Sequence, residues 1–216
     1  MKNLKIVKVE NYNSFLLRSN SYVILTDDKV ILVDPSMPLE YVKEKVAMAL
    51  QKNKEEVFNS FKQFAVLITH CHADHIACIN DYIDYGWKIF LTQKTFEYLG
   101  NSRVNLSKMI LFKELKVNFE KMNYQILEEG KNLILDQEFE VKFCPGHCKD
   151  SAIFVFENYL FCGDLIFEGG STGRTDFPTG NDEELYNSIN YLFNLDQNLI
   201  VCSGHGNVFK LFEFKL

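Results

Sequence analysis

Apolar and polar residues alternate along this chain at two different periods, and the switches between them mark its elements. Lys5-Ile6-Val7-Lys8-Val9 alternates with a period of two, as a strand with one covered face does. Ser21–Leu25 and Lys29–Val33 are denser apolar runs, joined across Asp27-Asp28, a turn signal. Asp34-Pro35 ends the second run, because proline cannot donate to a central ladder. Leu39, Val42, Val46 and Leu50, then Val57 and Phe61, recur at helical steps, while Lys43, Glu44, Lys45 and Lys54 fill the other face. Ala65–Ile68 predicts a buried strand. His70 and His72 then fall in a strand-to-helix loop, and Asp74 and His75 open a helix that runs through Ile79 and Ile83. Trp87–Leu91 follows as a strand and Gln93–Leu99 as a short helix.

The second half repeats this logic. Leu133–Leu135, Phe139–Phe143, Ala152–Phe156 and Tyr159–Phe161 predict strands. Asn181 can cap a helix, with Glu184 three residues on, and Leu185, Ile189, Leu192 and Phe193 form its expected inner face. Leu199–Val201 then leads as a strand toward His205. Residues 100–125 carry no clear period. No linker, low-complexity segment or composition break interrupts the chain, so residues 1–216 are expected to form one domain, with two sheets inside and helices outside.

Composition narrows the function classes. The 216 residues are 47% hydrophobic and 24% charged, an ordinary globular balance. A net charge of -6 argues against a broad basic surface for nucleic acid, so no nucleic-acid partner is expected. Met1-Lys2-Asn3-Leu4 opens no long apolar segment, and no apolar run reaches membrane-spanning length. The expectation is a cytoplasmic protein without a membrane partner; nothing in the sequence sets its oligomeric state. The six cysteines read as small buried residues of a reducing compartment. Cys144 and Cys148 stand at a zinc-ligand spacing, but a second pair is missing, which makes this the weaker alternative.

The candidate chemistry lies in the histidines. All five fall into three motifs: Thr69-His70-Cys71-His72-Ala73-Asp74-His75, Cys144-Pro145-Gly146-His147 and Ser203-Gly204-His205-Gly206. Phe161-Cys162-Gly163-Asp164 adds an aspartate after an apolar run. Imidazole nitrogen and carboxylate oxygen are ligands for zinc, iron or manganese. His70, His72 and His147 can hold one ion and Asp74, His75 and His205 a second. Asp164 can bridge them, since a carboxylate has two oxygens to share. Two neighbouring ions supply a bridging hydroxide near neutral pH and polarise a carbonyl, which is the chemistry of ester, thioester, amide or phosphoester hydrolysis. No serine or cysteine nucleophile is required, and Cys71 reads as packing.

These motifs resemble those of the metallo-β-lactamase superfamily, whose pattern is His-x-His-x-Asp-His followed by His, Asp and His. The resemblance covers nearly the whole chain. It implies an αβ/βα four-layer sandwich, with two mixed sheets inside and helices outside, and a dinuclear edge site made by His70, His72, Asp74, His75, His147, Asp164 and His205. The two ions would be zinc first, with iron or manganese as alternatives, and Asp74 and Asp164 would be the catalytic carboxylates. Asp34 matches the superfamily's first motif, where an aspartate buttresses the site without binding metal.

Within the superfamily, three segments are similar to small glyoxalase-II-like hydrolases: Gly173-Arg174-Thr175-Asp176 with its flanks, Asn105-Leu106-Ser107, and Ser203-Gly204-His205-Gly206. This implies hydrolysis of a small acyl thioester. Arg174 is implied either to meet an anionic substrate or to pair with Asp176. Larger glyoxalase II enzymes carry an added helical region that helps bind glutathione; this sequence, ending at Leu216, shows no counterpart, so the resemblance leaves the thiol open. Persulfide dioxygenases share the fold, the Thr-His-Cys-His-Ala-Asp-His wording and a Gly-Arg-Thr-Asp-Phe segment, here Gly173–Phe177, and imply a second reading, a single iron on His70, His147 and Asp164. The Ser-Gly-His-Gly ending favours the hydrolases. A metal-binding protein without catalysis is a third reading, disfavoured by the complete ligand set.

Overall fold

The computed structural model describes residues 4–10 and 19–215; Met1, Lys2 and Asn3 lie outside them. Strand β1 (Lys5–Glu10) pairs antiparallel with β2 (Asn20–Leu25), which pairs antiparallel with β3 (Lys29–Val33). Helices α1 (Leu39–Leu50) and α2 (Lys54–Asn59) follow, then β4 (Gln63–Leu67), α3 (Ala73–Ile76), α4 (Ile79–Asp84), β5 (Lys88–Thr92), α5 (Gln93–Leu99), α6 (Ser107–Ile110) and β6 (Tyr124–Leu127). The second half runs β7 (Gly130–Ile134), β8 (Gln137–Phe143), β9 (Ala152–Phe156), β10 (Tyr159–Gly163), α7 (Asp182–Leu192), β11 (Ile200–Ser203) and β12 (Phe209–Lys210).

Two mixed six-stranded sheets result, ordered β1-β2-β3-β4-β5-β6 and β12-β11-β10-β9-β8-β7. The side-chain alternation of the strands sorts the core into three layers. Along β2, Tyr22 and Ile24 face the space between the sheets, where they meet Phe90, Phe139, Phe154 and Phe161. Val23 and Leu25 point the other way, toward Val42 and Val46 of α1. On the far side, Ile153, Leu160 and Val201 pack against Leu185, Ile189 and Leu192 of α7. Strands buried on both faces explain the dense apolar runs in the sequence. The expected four-layer αβ/βα sandwich is therefore present.

Several local expectations change. The helical pattern from Leu39 to Phe61 is two helices, because Gln51 turns left-handed at φ 54 and closes α1. The helix expected from Asp74 through Ile83 is broken at Ala77-Cys78. There the Cys78 N–H donates to Pro35 O at 3.0 Å instead of continuing the helical ladder. Leu135 and Asp136 are not strand but a tight turn, with φ 48 and 60. Phe193 caps α7 and stands 50% exposed, so it is not part of the inner face. The Asn181 cap is as expected: its side chain accepts from the Glu184 N–H. The illegible stretch 100–125 holds α6 and the start of the edge strand β6.

What this architecture does for the site is aim loops. Asp34, Thr69–His75, His147, Asp164 and His205 all leave the C-terminal ends of strands, namely β3, β4, β8, β10 and β11. The two sheets are stitched together at that edge. Ala152 N–H donates to Thr69 O at 2.9 Å, and Asn20 N–H donates to Gly204 O at 2.6 Å.

Candidate metal centre

The seven sequence-identified ligand residues converge on one cleft edge in two groups. In the first, ring nitrogens of His70, His72 and His147 and the Cys148 sulfur lie within 4.8 Å of one another. In the second, ligating atoms of Asp74, His75, Asp164 and His205 do the same. Asp164 stands between the groups. Its Oδ1 is 3.1 Å from His75 Nε2, while its Oδ2 is 3.3 Å from His205 Nε2 and 3.7 Å from His147 Nε2.

Each loop is shaped to make this convergence possible. A register shift between Phe161 and Gly163 in the β10–β11 pairing puts an extra residue into β10 and turns Asp164 toward the histidines. The backbone beside His205 must come very close: a Cβ on Gly204 would lie 2.1 Å from Asp164 Oδ1 and 2.5 Å from His75 Cε1. A Cβ on Gly173 would lie 2.9 Å from the His147 ring. The third motif is tethered by β2, where the Asn20 side-chain amide donates to Ser203 O and Gly206 O, and Tyr22 OH to Ser203 O.

Hydrogen bonds behind the ligands set which ring nitrogen is left for a metal. The buried Asp34 carboxylate accepts from Thr69 N–H at 2.8 Å through Oδ1. Its Oδ2 accepts from Thr69 Oγ1 at 2.7 Å and from His75 Nδ1 at 2.8 Å. Thr69 Oγ1, its proton given to Asp34, accepts from His70 Nδ1 at 3.0 Å. One carboxylate thus turns the Nε2 atoms of both His75 and His70 toward the cleft, one in each group. His147 Nδ1 donates to Arg174 O at 2.7 Å, which leaves His147 Nε2 as the acceptor atom.

The groups differ electrostatically. Burial, with His75 and His72 nearby, holds His70 well below the ordinary histidine range. Burial and His147 push His72 down to about 3. In the second group burial opposes the charged imidazole, but Asp164 and Asp74 reverse it; His75 is raised well above its usual value and His205 to about 10. Burial resists ionisation of Asp164 as well, yet His75 and His205 carry its pKa well below the usual carboxylate range.

Divalent ions fit this donor set. His70 Nε2 and His72 Nε2 are buried without a hydrogen-bond partner, although such atoms are costly to leave unsatisfied. His72 Nδ1 and His147 Nε2 face each other at 2.8 Å, two ring nitrogens of the first group directed at one point. Nitrogen and oxygen donors of this kind suit zinc, iron or manganese.

Arg174 lines the cleft mouth, but its guanidinium forms two hydrogen bonds to Asp176, at 2.8 and 2.5 Å. The alternative of a Cys144–Cys148 ligand pair is not formed, because Cys144 sits in the apolar layer beneath α7. Cys148 borders the first group with its Sγ 3.0 Å from Ser151 Oγ, and burial drives its pKa up. Cys71 is a buried thiol whose pKa burial and Asp150 raise well above normal, in keeping with a packing role.

Two contributors were not anticipated from the sequence. Asp150, buried and raised in pKa by that burial, accepts from Cys71 N–H at 2.8 Å and so fixes the loop between His70 and His72. Asn20 is the other. A lone loop aspartate and a strand asparagine give no local signal of such roles.

A family model described as Metallo-beta-lactamase superfamily matches residues 15–205. The chain belongs to the metallo-beta-lactamase superfamily. Within that superfamily it is 30% identical over 199 residues to the probable metallo-hydrolase YqgX of Bacillus subtilis, covering 88% of this chain and 86% of that one. It is 28% identical to the hydroxyacylglutathione hydrolase GloC of Haemophilus influenzae, covering 95% and 91%. Among solved structures, the BLEG-1 B3 metallo-beta-lactamase superposes with a TM-score of 0.80 at 25% identity, covering 97% of this chain and 95% of that one. Superfamily membership and the converging donors make this chain a metal-dependent hydrolase.

Proposed function

We propose that this chain is a thioesterase that hydrolyses a small acyl thioester, with residues 1–216 working as one domain. Two divalent ions, zinc first among the candidates, would be held by His70, His72 and His147 and by Asp74, His75 and His205, with Asp164 shared. The observation that carries this reading is the placement of Asp164, whose carboxylate faces histidines of both groups at 3.1 to 3.7 Å. A single-ion site on His70, His147 and Asp164 gives no use to the second group. Similarity to hydroxyacylglutathione hydrolases supports thioester as the substrate class.

When bound, paired divalent ions bring the pKa of water close to neutrality and polarise a carbonyl oxygen. The protein's own residues do the remainder. Asp34 and Thr69 hold protons on the Nδ1 atoms of His75 and His70, and the Arg174 carbonyl does so for His147. Asp164, shared between the two groups, can position the attacking water, and Asp74, the other carboxylate that lines the cleft, can take its proton and return it to the departing sulfur. Leu106, Phe167 and Phe177 give the cleft its apolar lining. No helix among the described residues is long and apolar enough to cross a membrane.

The test is anaerobic release of free thiol from acetyl and lactoyl thioesters, alongside oxygen uptake with glutathione persulfide. The proposal expects thiol release and no oxygen uptake. Rapid oxygen consumption with persulfide, and no thiol release, would replace it with the one-iron dioxygenase.

A further inference from the structure

The walls of the cleft carry information that its metal-binding floor does not. Phe177 lies edge-on to His72 at 6.0 Å, and Phe167 lies edge-on to His205 at 5.8 Å. One aromatic ring therefore stands at each histidine group, so a substrate laid across both groups meets an apolar wall at either end. A third wall comes from Leu106, Met109 and Ile110. Leu106 is held there in a left-handed turn at φ 59. Asn105 pins that turn: its carbonyl accepts from Ala73 N–H at 2.8 Å and its side chain from Ser107 N–H at 2.9 Å. Met109 keeps 52% of its surface in water, an apolar side chain left without cover at the mouth.

Among the described residues that line this mouth, the guanidinium of Arg174 is already matched. Two guanidinium hydrogen bonds of Arg174 go to Asp176, and its Cζ lies 4.4 Å from the centroid of the Phe177 ring. What Arg174 presents is thus a guanidinium already paired with Asp176 and set over Phe177. The cleft, about 290 Å3, is at the small end of ligand sites.

We infer that this cleft selects thioesters whose groups on both sides of the scissile carbonyl are uncharged and apolar, in preference to the charged glutathione conjugates. The inference rests on the thioesterase reading for its reaction and on the walls for its selectivity. The glutathione thiol carries two carboxylates and an ammonium. Among the described residues, Leu106, Met109, Phe167 and Phe177 would cost each of these groups its water and return no partner. An added acyl methylene gains instead, up to roughly fourfold when fully covered. In a cleft open on one side, four further methylenes should be worth roughly tenfold in all.

The experiment compares kcat/KM for acetyl and hexanoyl thioesters of N-acetylcysteamine, a neutral thiol, and for the same two acyl groups on glutathione. The expected result is about a tenfold gain from acetyl to hexanoyl, and about a tenfold preference for the neutral thiol at either chain length. Met109→Asp should draw the hexanoyl-to-acetyl ratio toward one. Asp176→Asn, which frees the guanidinium, should shift preference toward the glutathione thioesters. A flat chain-length profile, or preference for glutathione in the unmodified protein, would overturn the inference. If no thioester is cleaved, the thioesterase reading fails, and calorimetry with two non-hydrolysable thioethers still decides the cleft. S-hexyl-N-acetylcysteamine binding more tightly than S-hexylglutathione supports the selectivity, and the reverse order refutes it.

Discussion

Asp34→Asn separates the role of one buried oxygen from everything around it. Asparagine keeps the size of the side chain and tolerates the left-handed backbone at φ 58, so the turn itself is preserved. The amide oxygen can still accept from Thr69 N–H. The amide NH2 replaces Oδ2, which in the native protein accepts from both Thr69 Oγ1 and His75 Nδ1. Thr69 can adjust, because its oxygen has two lone pairs and can accept from Asn and from His70 together. His75 cannot: to face an NH2 it must move its proton to Nε2, the atom 3.1 Å from Asp164 that is needed as a metal ligand. The loss is one hydrogen bond to a charged group, about 1.5–3 kcal/mol. At 1.4 kcal/mol per factor of ten, that is roughly 10–100-fold in affinity, the range found for partners behind metal ligands. The assay is zinc titration against a competing chelator, with urea denaturation of the metal-free protein as the control for folding. One of the two ions should weaken by roughly 10–100-fold while the other stays near its native affinity. Native affinity for both ions in a folded Asp34→Asn protein would refute the tautomer argument.

Three further outcomes follow from the same geometry. Thr69→Val removes the hydroxyl between Asp34 and His70 and should weaken the other ion, about 10-fold or more, whereas Thr69→Ser should restore it; equal behaviour of the two variants in the chelator titration would show the hydroxyl to be idle. Gly204→Ala places a Cβ 2.1 Å from Asp164 Oδ1, so metal content and thiol release should both collapse while circular dichroism stays native; a variant with full metal content would show that the loop can yield. In the metal-free protein, His72 has a folded pKa of about 3 against 6.5 when unfolded, so the unfolded chain binds the extra proton and stability falls as pH drops through that window. His205, raised to about 10, works in the opposite sense: its contribution is full below pH 6.5 and is lost as pH rises toward 10. Urea midpoints across pH 3 to 10 should therefore peak between the two windows, and a profile flat on both sides would contradict the assigned environments.

Much of this protein was legible in its sequence because its signals are local. Strands buried on both faces write themselves as apolar runs, and His70, His72, Asp74 and His75 lie within one loop. What stayed hidden depends on contacts between distant segments. Asp150 acts on a residue 79 positions away, and Asn20 on one 183 positions away, through single hydrogen bonds. Cys78 breaks a helix because Pro35 offers its N–H a partner from another strand end, a competition no helical period records. Strand β6 went unseen because Tyr124 at its start is 44% exposed, so an edge strand shows little alternation. The close approach that demands glycine at 204 is visible only once β10 and β11 lie side by side.

The most direct test of the account is metal content per chain, measured by mass spectrometry on protein purified without added metal, for the native chain and for His75→Ala. Two ions per native chain, falling toward one in His75→Ala, is the predicted result, because His75 serves the second group alone. A single iron in both proteins would contradict the two-ion site and move the assignment to the dioxygenase.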